Sequence, residues 1–165
     1  MALVIEDGSL PSGANSFVTV AEVRAFAEAR ASTLDDTDGE IEAAAIRAMD
    51  FINAFRAQFK GTKVTGAQPL QFPRSGVTLD GFAVAETEIP GVLKAAQCQL
   101  ALDALAGTEL QPSGDGREVI REKVDVLETE YRPGTGANPQ PALTKARALL
   151  LPLLTTGGGL SVGRA

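Results

Sequence analysis

The segment IPGVLKAAQCQLALDALAG, residues 89–107, is the most apolar helical pattern in the chain. It predicts a helix that begins at Pro90, runs to Ala106 and ends at Gly107. Polar residues interrupt this pattern, but they do not share one face of the helix. A helix that is apolar on most sides is typically central in its domain. We therefore expect the other helices to pack around this one.

Two amphipathic segments precede this helix. Thr19 and Glu22 form a T-x-x-E capping box, which predicts a first helix to about Arg30. Apolar residues spaced by three or four positions predict a second helix over residues 40–59, with Asp38 as a candidate N-cap. The predicted buried stripes are Val20, Val23, Phe26 and Ala27 in the first helix, and Ile41, Ala45, Met49, Ile52, Phe55 and Phe59 in the second.

A fourth helix is predicted near the carboxyl end of the sequence. Asn138 is its candidate N-cap, and Pro139 occupies the first turn, where proline is well tolerated. Pro152 should bend or end the helix, because proline has no amide hydrogen to donate. The predicted apolar stripe is Leu143, Ala146, Leu150 and Leu153. The sequence therefore predicts a mainly α protein with a body of four helices.

The remaining segments are predicted to be mostly irregular. Residues 1–16 form an extended N-terminal arm, residues 61–88 a long ordered loop and residues 155–165 an extended glycine-rich tail. Residues 118–131 alternate between apolar and polar side chains, which predicts a short β-strand or hairpin region. We expect one helical domain over residues 1–154, followed by the tail.

Composition argues against several classes of function. The 165 residues include 15 basic and 21 acidic side chains, for a net charge of −6, with one cysteine and no histidine. The chain therefore lacks Ser-His-Asp and Cys-His machinery, and one cysteine cannot build a zinc site. No segment approaches the roughly 18 apolar residues of a membrane span, and the first residues do not resemble a signal peptide. We expect no enzyme activity, cofactor, metal or membrane partner.

Short motifs in the sequence favour structural interpretations over catalytic ones. Residues 159–163 match G-x-S-x-G, but no histidine is present to activate the serine. Glu128 and Glu130 share one strand face, where paired carboxylates can perform acid–base chemistry. A solvated, charged sheet face is the favoured interpretation of that pair. Cys98 lies in the most apolar helix and is predicted to be a small buried hydrophobic side chain.

Nucleic-acid binding has only weak support in the composition. The seven phenylalanines and one tyrosine are candidate stacking platforms, but most phenylalanines fall on helical apolar stripes, which favours the core. Lys60, Lys63 and Arg74 form a small basic patch around the long loop, suited to a phosphate or an acidic partner. An acidic chain lacks the clustered basic residues that most nucleic-acid interfaces need.

Several segments, taken in order, resemble one protein family. They are EDG at residues 6–8 with ANSFV at 14–18, AAAIRA at 43–48, QFPRSGV at 71–77, IPGVLKAAQCQLA at 89–101 and REKVDVLETEY at 121–131. The chain resembles the small head–tail connector proteins of tailed bacteriophages, also called adaptor or head-completion proteins. Some members are labelled DnaT-like single-stranded DNA-binding proteins. Phe72 stands where the family pattern commonly has tryptophan, and Asp125 where it commonly has glycine.

This resemblance implies a mostly helical subunit that assembles, in about twelve copies, into a ring under the phage portal. Such a ring extends the DNA channel and docks a stopper or tail-completion protein, while DNA passes through without specific binding. The expected partners are therefore the portal protein, neighbouring copies and the next neck or tail protein. The expected location is the neck of the virion, after assembly in the host cytoplasm.

The predicted contact residues lie in three segments. They are Phe72, Pro73 and Arg74 in the long loop, Glu128, Glu130 and Tyr131 in the strand region, and Leu160, Val162 and Arg164 in the tail. We expect the tail to dock on the portal by strand addition or insertion, with a disordered terminus as the alternative. For residues 72–74, the alternative is an ordinary loop anchor, with Phe72 packed inward and Arg74 solvated. Single-stranded DNA binding and an enzyme of unknown type are the alternative functions.

Overall fold

The computed structural model of the chain describes residues 2–111, 118–123, 128–132 and 144–155. Its elements, in chain order, are α1 Val20–Glu28, α2 Asp38–Ala54, β1 Thr62–Lys63, β2 Arg74–Ser75, β3 Thr78–Leu79, β4 Phe82–Ala83, α3 Gly91–Leu105, β5 Glu118–Lys123, β6 Glu128–Arg132, α4 Thr144–Leu150 and a 3₁₀ turn Leu151–Leu153. Contacts group the chain into two units, residues 1–110 with 142–165 and residues 111–141, which are described separately. The single domain expected over residues 1–154 stays a prediction.

α3 lies at the centre of the first unit, as its sequence predicts. It packs against α1, α2 and α4. Pro90 precedes its first residue, and Gly107 follows the helix with a φ of +83°. The buried side chains of α3 are Leu93, Ala96, Gln97, Cys98, Leu100, Ala101 and Ala104. A helix that buries side chains on several faces needs neighbours on several sides, which the other helices provide. The predicted mainly α architecture with four helices is confirmed.

α1 begins where its capping box predicts. The Glu22 N–H donates to Thr19 Oγ1 at 3.1 Å, and the Thr19 N–H donates to Glu22 Oε2 at 2.7 Å. Of the predicted stripe, Val23 and Ala27 are buried, while the other two side chains are half-buried against the core. The helix ends at Glu28, slightly before the predicted end.

The N-terminus of α2 differs from the prediction, because Thr37 and not Asp38 is the N-cap. The Glu40 N–H donates to Thr37 Oγ1 at 3.4 Å, and the Thr37 N–H donates to Glu40 Oε2 at 2.8 Å. The bond from the Thr37 hydroxyl, followed by the bond from its backbone N–H, lowers the pKa of the Glu40 carboxyl. This second capping box satisfies amide groups that a helix end leaves without partners.

Replacing Thr37 with alanine is expected to lower the free energy of unfolding by about 1 kcal/mol, because the helix loses its capping hydroxyl. Urea denaturation followed by circular dichroism measures the change. Thr37→Ser keeps the hydroxyl and is expected to stay within about 0.5 kcal/mol of the starting protein. Equal stability of the alanine and serine variants would show that this cap does not stabilise α2.

The C-terminus of α2 also differs from the prediction, because the helix ends at Ala54 and not at Phe59. After a turn, the backbone of residues 58–60 pairs with that of residues 153–155, with N–H···O distances of 2.7 and 2.9 Å. Phe59 stays buried, so the apolar spacing continues into a segment that is not helical. Pairing with a distant segment leaves no trace in local periodicity, which explains the error.

Residues 61–88 contain four short strands where a long ordered loop was predicted. β1 pairs antiparallel with β2, and β3 pairs antiparallel with β4. Each strand has two residues, too few to show a period of two in the sequence. Gly61 adopts a φ of +69°, and a Cβ atom there would overlap the carbonyl oxygen of Ser75. Backbone pairing and close packing therefore order this segment.

The N-terminal arm folds back on itself instead of extending. The Glu6 N–H donates to Ser16 O at 2.8 Å. The Glu6 carboxylate is buried, and its Oε1 accepts the N–H groups of Gly8 and Leu10 at 2.9 and 3.0 Å. At Gly8, which has a φ of +106°, a Cβ atom would overlap the carbonyl oxygen of Thr87. Backbone amides thus supply two donors to one oxygen of the buried Glu6 carboxyl group, while its Oε2 has no hydrogen-bond partner among the described residues.

α4 ends as its proline predicts. Pro152 lies in the 3₁₀ turn that follows the helix. Ala146, Leu150 and Leu153 are buried, which confirms the described part of the predicted stripe. The predicted start of the helix at Asn138 and Pro139, together with Leu143, lies outside the described residues.

The second unit contains a β-hairpin formed by β5 and β6. The two strands pair antiparallel, with a register shift between Val119 and Arg121. The predicted region of residues 118–131 is therefore two strands, since residues 124–127 separate them. Arg121 is paired with Glu130, so opposite charges occupy directly opposed positions.

Candidate binding surfaces and a cationic groove

Arg74, on β2, holds the neighbouring backbone from inside the first unit. Its guanidinium donates to four carbonyl oxygens, those of Gly61 at 2.7 Å, Lys60 at 2.8 Å, Gln71 at 3.3 Å and Phe59 at 3.5 Å. The side chain is buried, whereas the loop-anchor interpretation left it solvated. Carbonyl groups supply every hydrogen bond it makes among the described residues. Among the described residues, carbonyl dipoles and not a carboxylate therefore stabilise the buried positive charge of Arg74.

Phe72 and Pro73 are buried beside Arg74. The Phe72 ring packs edge-on against Phe59, with ring centroids 5.5 Å apart and an interplanar angle of 86°. Such a T-shaped pair is a favoured aromatic geometry. Residues 72–74 therefore serve the core of their own chain, and a contact with a partner stays a prediction for them.

A polar groove of about 530 Å³ opens beside β2. It is lined by Asn53, Arg56, Lys63, Pro69, Gln71 and Arg74. Of the predicted basic patch, the structure brings Lys63 and Arg74 to this groove, and it adds Arg56. Lys60 is not among the lining residues, and its Nζ donates to Pro152 O at 2.8 Å. Arg56 was not predicted to belong to this patch, because the apolar spacing of the sequence placed it inside a longer second helix.

The groove is positively charged although the whole chain is acidic. The described residues that line it include three cations and no carboxylate. Burial, followed by the charges of Arg74 and Arg56, lowers the pKa of the Lys63 ammonium. Lys63 Nζ donates to Gln68 O at 3.1 Å. Arg56 is exposed, and its backbone N–H donates to Asn53 O at 3.1 Å, while its side chain has no hydrogen-bond or ion-pair partner within the described ranges. The cations therefore repel one another more than they are neutralised by acidic neighbours.

The β3–β4 hairpin carries an exposed aromatic ring. Phe82 is 78% exposed, the highest value among the described large apolar side chains. Asp80 and Gly81 connect the strands with positive φ angles of +51° and +86°, the geometry of a tight hairpin turn. Phe82 was not predicted to be a contact residue, because a lone aromatic residue in a loop carries no periodic signal. A partner that covered this ring would gain apolar burial.

The other predicted contact residues are placed only in part. Glu128, Glu130 and Tyr131 lie on β6, where they are paired with Lys123, Arg121 and Val119 of β5. The structure describes the backbone of these strands. The tail residues Leu160, Val162 and Arg164 lie outside the described part of the chain. The contacts proposed for both segments remain predictions.

Gln97 of α3 joins segments that carry the family resemblance. Its Oε1 accepts the Phe17 N–H at 2.9 Å. Its Nε2 donates to Ser16 Oγ at 2.8 Å and to Ala45 O at 3.0 Å. Gln97 is fully buried, so these bonds lie in a low-dielectric core, where leaving them unmade is costly. One side chain thus connects the N-terminal arm, α2 and α3.

Cys98 is buried next to this network, as predicted. Burial raises the pKa of its thiol to about 12. A thiol with this pKa is almost entirely protonated at neutral pH, and the thiolate is the reactive form. Cys98 therefore acts as a packing residue and not as a nucleophile.

The described ranges contain neither a metal-binding cluster nor a membrane-spanning helix. No group of three or more cysteine and acidic side chains there is arranged to hold a metal ion. None of the helices there is both long enough and apolar enough to cross a bilayer.

One protein family matches the whole sequence. The model of a family described as "Putative DnaT-like ssDNA binding protein" aligns with residues 1–165. The chain belongs to this family. No curated protein and no solved structure matches it. Because the DnaT-like match spans the full length, it includes the segments joined by Gln97, the groove and the tail.

Proposed function

We propose that this protein is a structural adaptor subunit of a tailed phage, which forms a ring of about twelve copies under the portal. The observation that carries the proposal is the location of the segments that resemble phage connectors. Gln97 joins the arm, α2 and α3, and Arg74 fixes the segment of residues 71–77. Segments that interlock in one core support a shared fold more strongly than a series of isolated motifs does.

In this proposal the helices form the body, and three other parts of the chain make the contacts. The Phe82 hairpin, β6 with Glu128, Glu130 and Tyr131, and the tail with Leu160, Val162 and Arg164 contact the portal, neighbouring copies and a stopper or tail-completion protein. The net charge of −6 supports passage of DNA through the ring without specific binding, because an acidic wall repels phosphate groups. The subunit then works by packing and docking, with no catalytic step.

A pull-down with the portal protein of the same phage genome tests the adaptor function. The full chain is expected to be retained, and electron microscopy of the complex is expected to show a closed ring. Deleting residues 156–165 is expected to abolish retention without changing the urea midpoint of unfolding. Retention of the shortened chain would rule out the tail as the portal contact. Failure of the full chain to bind the portal would rule out the adaptor function.

Single-stranded DNA binding is a second candidate function, and the family description favours it more directly than the adaptor role. The cationic groove supports it, since Arg56 and Lys63 can contact phosphate groups. Fluorescence anisotropy with a labelled oligothymidine at low salt tests this function. Binding that weakens steeply as salt increases is the expected result. A flat anisotropy signal at low salt would rule the function out, and it would leave the portal experiment unaffected.

A further inference from the structure

The groove beside β2 has the composition of an anion-binding site. Arg56, Lys63 and Arg74 line it together, and none of the described lining residues is acidic. The usual arrangement in an acidic protein is the opposite, because Asp and Glu residues outnumber the basic residues and neutralise them. Elsewhere in the described fold, Arg24 contacts Asp38 at 2.8 Å and Lys94 contacts Glu22 at 3.0 Å. Each of these two cations therefore has a carboxylate partner, whereas the described residues that line the groove include no carboxylate.

Two features keep positive charge in the groove. Arg74 cannot move away, because four backbone carbonyls hold its buried guanidinium. Lys63 lies near that charge, and burial together with Arg74 and Arg56 destabilises its ammonium form. A bound anion would offset the repulsion between these cations. Its attraction to them would therefore favour binding. The site is built to receive negative charge.

The donors at the groove come from separate segments of the chain. Asn53 and Arg56 lie at the end of α2 and in the turn after it, Lys63 lies on β1, and Gln71 lies between β1 and β2. The Asn53 Oδ1 accepts a weak bond from Gln71 Nε2 at 3.4 Å, which leaves the Asn53 amide hydrogens available. A planar carboxylate favours a two-pronged fork from one arginine. Several donors from separate segments suit the tetrahedral oxygens of a phosphate better.

We infer that this groove binds phosphate groups, and that the phosphodiester backbone of a nucleic acid strand is their source. Arg56 and Lys63 supply mobile charges at the groove, Arg74 supplies a fixed one, and the amides of Asn53 and Gln71 orient the oxygens. The contacts are to phosphate alone, so binding is independent of base sequence. The inference assigns a ligand to residues that the adaptor function does not require. It deepens the single-stranded DNA-binding candidate by naming the site.

The test compares two double variants of the full chain with equal changes in charge. Arg56→Gln with Lys63→Gln removes two groove charges, whereas Arg47→Gln with Lys145→Gln removes two exposed charges outside the groove. Fluorescence anisotropy with oligothymidine at about 50 mM salt measures affinity. The groove variant is expected to bind at least about tenfold more weakly, with a salt slope reduced by about 1.4 for two lost phosphate contacts. The control variant is expected to bind almost as tightly as the starting protein.

Inorganic phosphate provides a readout that does not depend on DNA. In NMR titrations, phosphate is expected to shift the backbone amide signals of Lys63 and Gln71 in the starting protein and not in the groove variant. If phosphate shifts these amide signals but the oligonucleotide does not bind, the groove is a phosphate site. That result would overturn the inference that nucleic acid supplies the phosphate groups. If both double variants lost the same oligothymidine affinity, the proposed groove site would be ruled out, because binding would then depend on overall charge.

Two further outcomes separate the groove from the DNA-binding function itself. Unchanged oligonucleotide binding by the groove variant would overturn this inference while single-stranded DNA binding still stood. Absence of both phosphate shifts and oligonucleotide binding, with binding of an acidic peptide such as polyglutamate, would assign the groove to a protein partner. That result would overturn the inference.

Discussion

Replacing Arg74 with alanine is expected to lower the free energy of unfolding by about 4 kcal/mol, the largest effect of any single substitution that we predict. The guanidinium is buried and donates to the carbonyls of Lys60 and Gly61, before β1, and to that of Gln71, between β1 and β2. Alanine would leave those carbonyls without their donor, and it would open a cavity beside Phe59. Small proteins are stable by only about 5–15 kcal/mol, so much of that margin would be lost.

Urea denaturation with circular dichroism detection measures the effect of Arg74→Ala. Arg74→Lys keeps the charge but cannot reproduce the planar fork, so an intermediate loss of about 2 kcal/mol is expected. Arg47→Ala removes an exposed arginine of α2 and should change stability by no more than about 0.5 kcal/mol. If the Arg74 and Arg47 variants unfolded at the same urea concentration, the carbonyl network would not stabilise the fold.

Gln97→Ala is expected to cost about 3 kcal/mol, the second-largest effect. The substitution leaves the buried Phe17 N–H without an acceptor and removes a donor from Ser16 Oγ and Ala45 O. The arm should separate from α3 before the helices unfold, because Gln97 provides hydrogen bonds between them. Hydrogen exchange measured by mass spectrometry is expected to show faster exchange at Phe17 under native conditions.

Gln99→Ala is the matched control for Gln97, because the two glutamines lie on the same helix. Gln99 is half-buried, and its Nε2 donates to Asp103 Oδ1, one turn along α3, at 2.9 Å. Its loss should cost about 0.5 kcal/mol and leave exchange at Phe17 unchanged. Similar exchange rates in the Gln97 and Gln99 variants would contradict the assigned role of Gln97.

Local sequence patterns located the helices well and their ends less well. The box of Thr19 and Glu22 predicted the start of α1, and Pro90 with Gly107 bounded α3. Those signals succeed because caps and prolines act through neighbouring residues. The end of α2 was predicted too late, since residues 58–60 leave the helix to pair with residues 153–155. Such competition between local periodicity and distant pairing is settled only in the folded chain.

The candidate site was predicted less completely than the helices. Lys63 and Arg74 were recognised as part of a basic patch, and their sequence proximity to the loop was the signal. Arg56 was missed because its side chain reaches the groove only after α2 ends early. Phe82 was missed for a different reason, since exposure of a single ring depends on the hairpin turn beneath it. Both residues acquire their roles from the conformation of neighbouring segments.

The amino-acid sequence alone specifies a mainly α protein with a central apolar helix, no histidine chemistry and a net charge of −6. Those properties follow from composition and from short-range periodicity, which need no knowledge of distant contacts. The folded arrangement turns Arg74 inward, where carbonyl oxygens from separate positions along the chain converge on it. It also gathers Arg56 and Lys63 beside it in one groove. Charges that are separated in sequence create a local field only when packing places them together, so an acidic chain contains a cationic site.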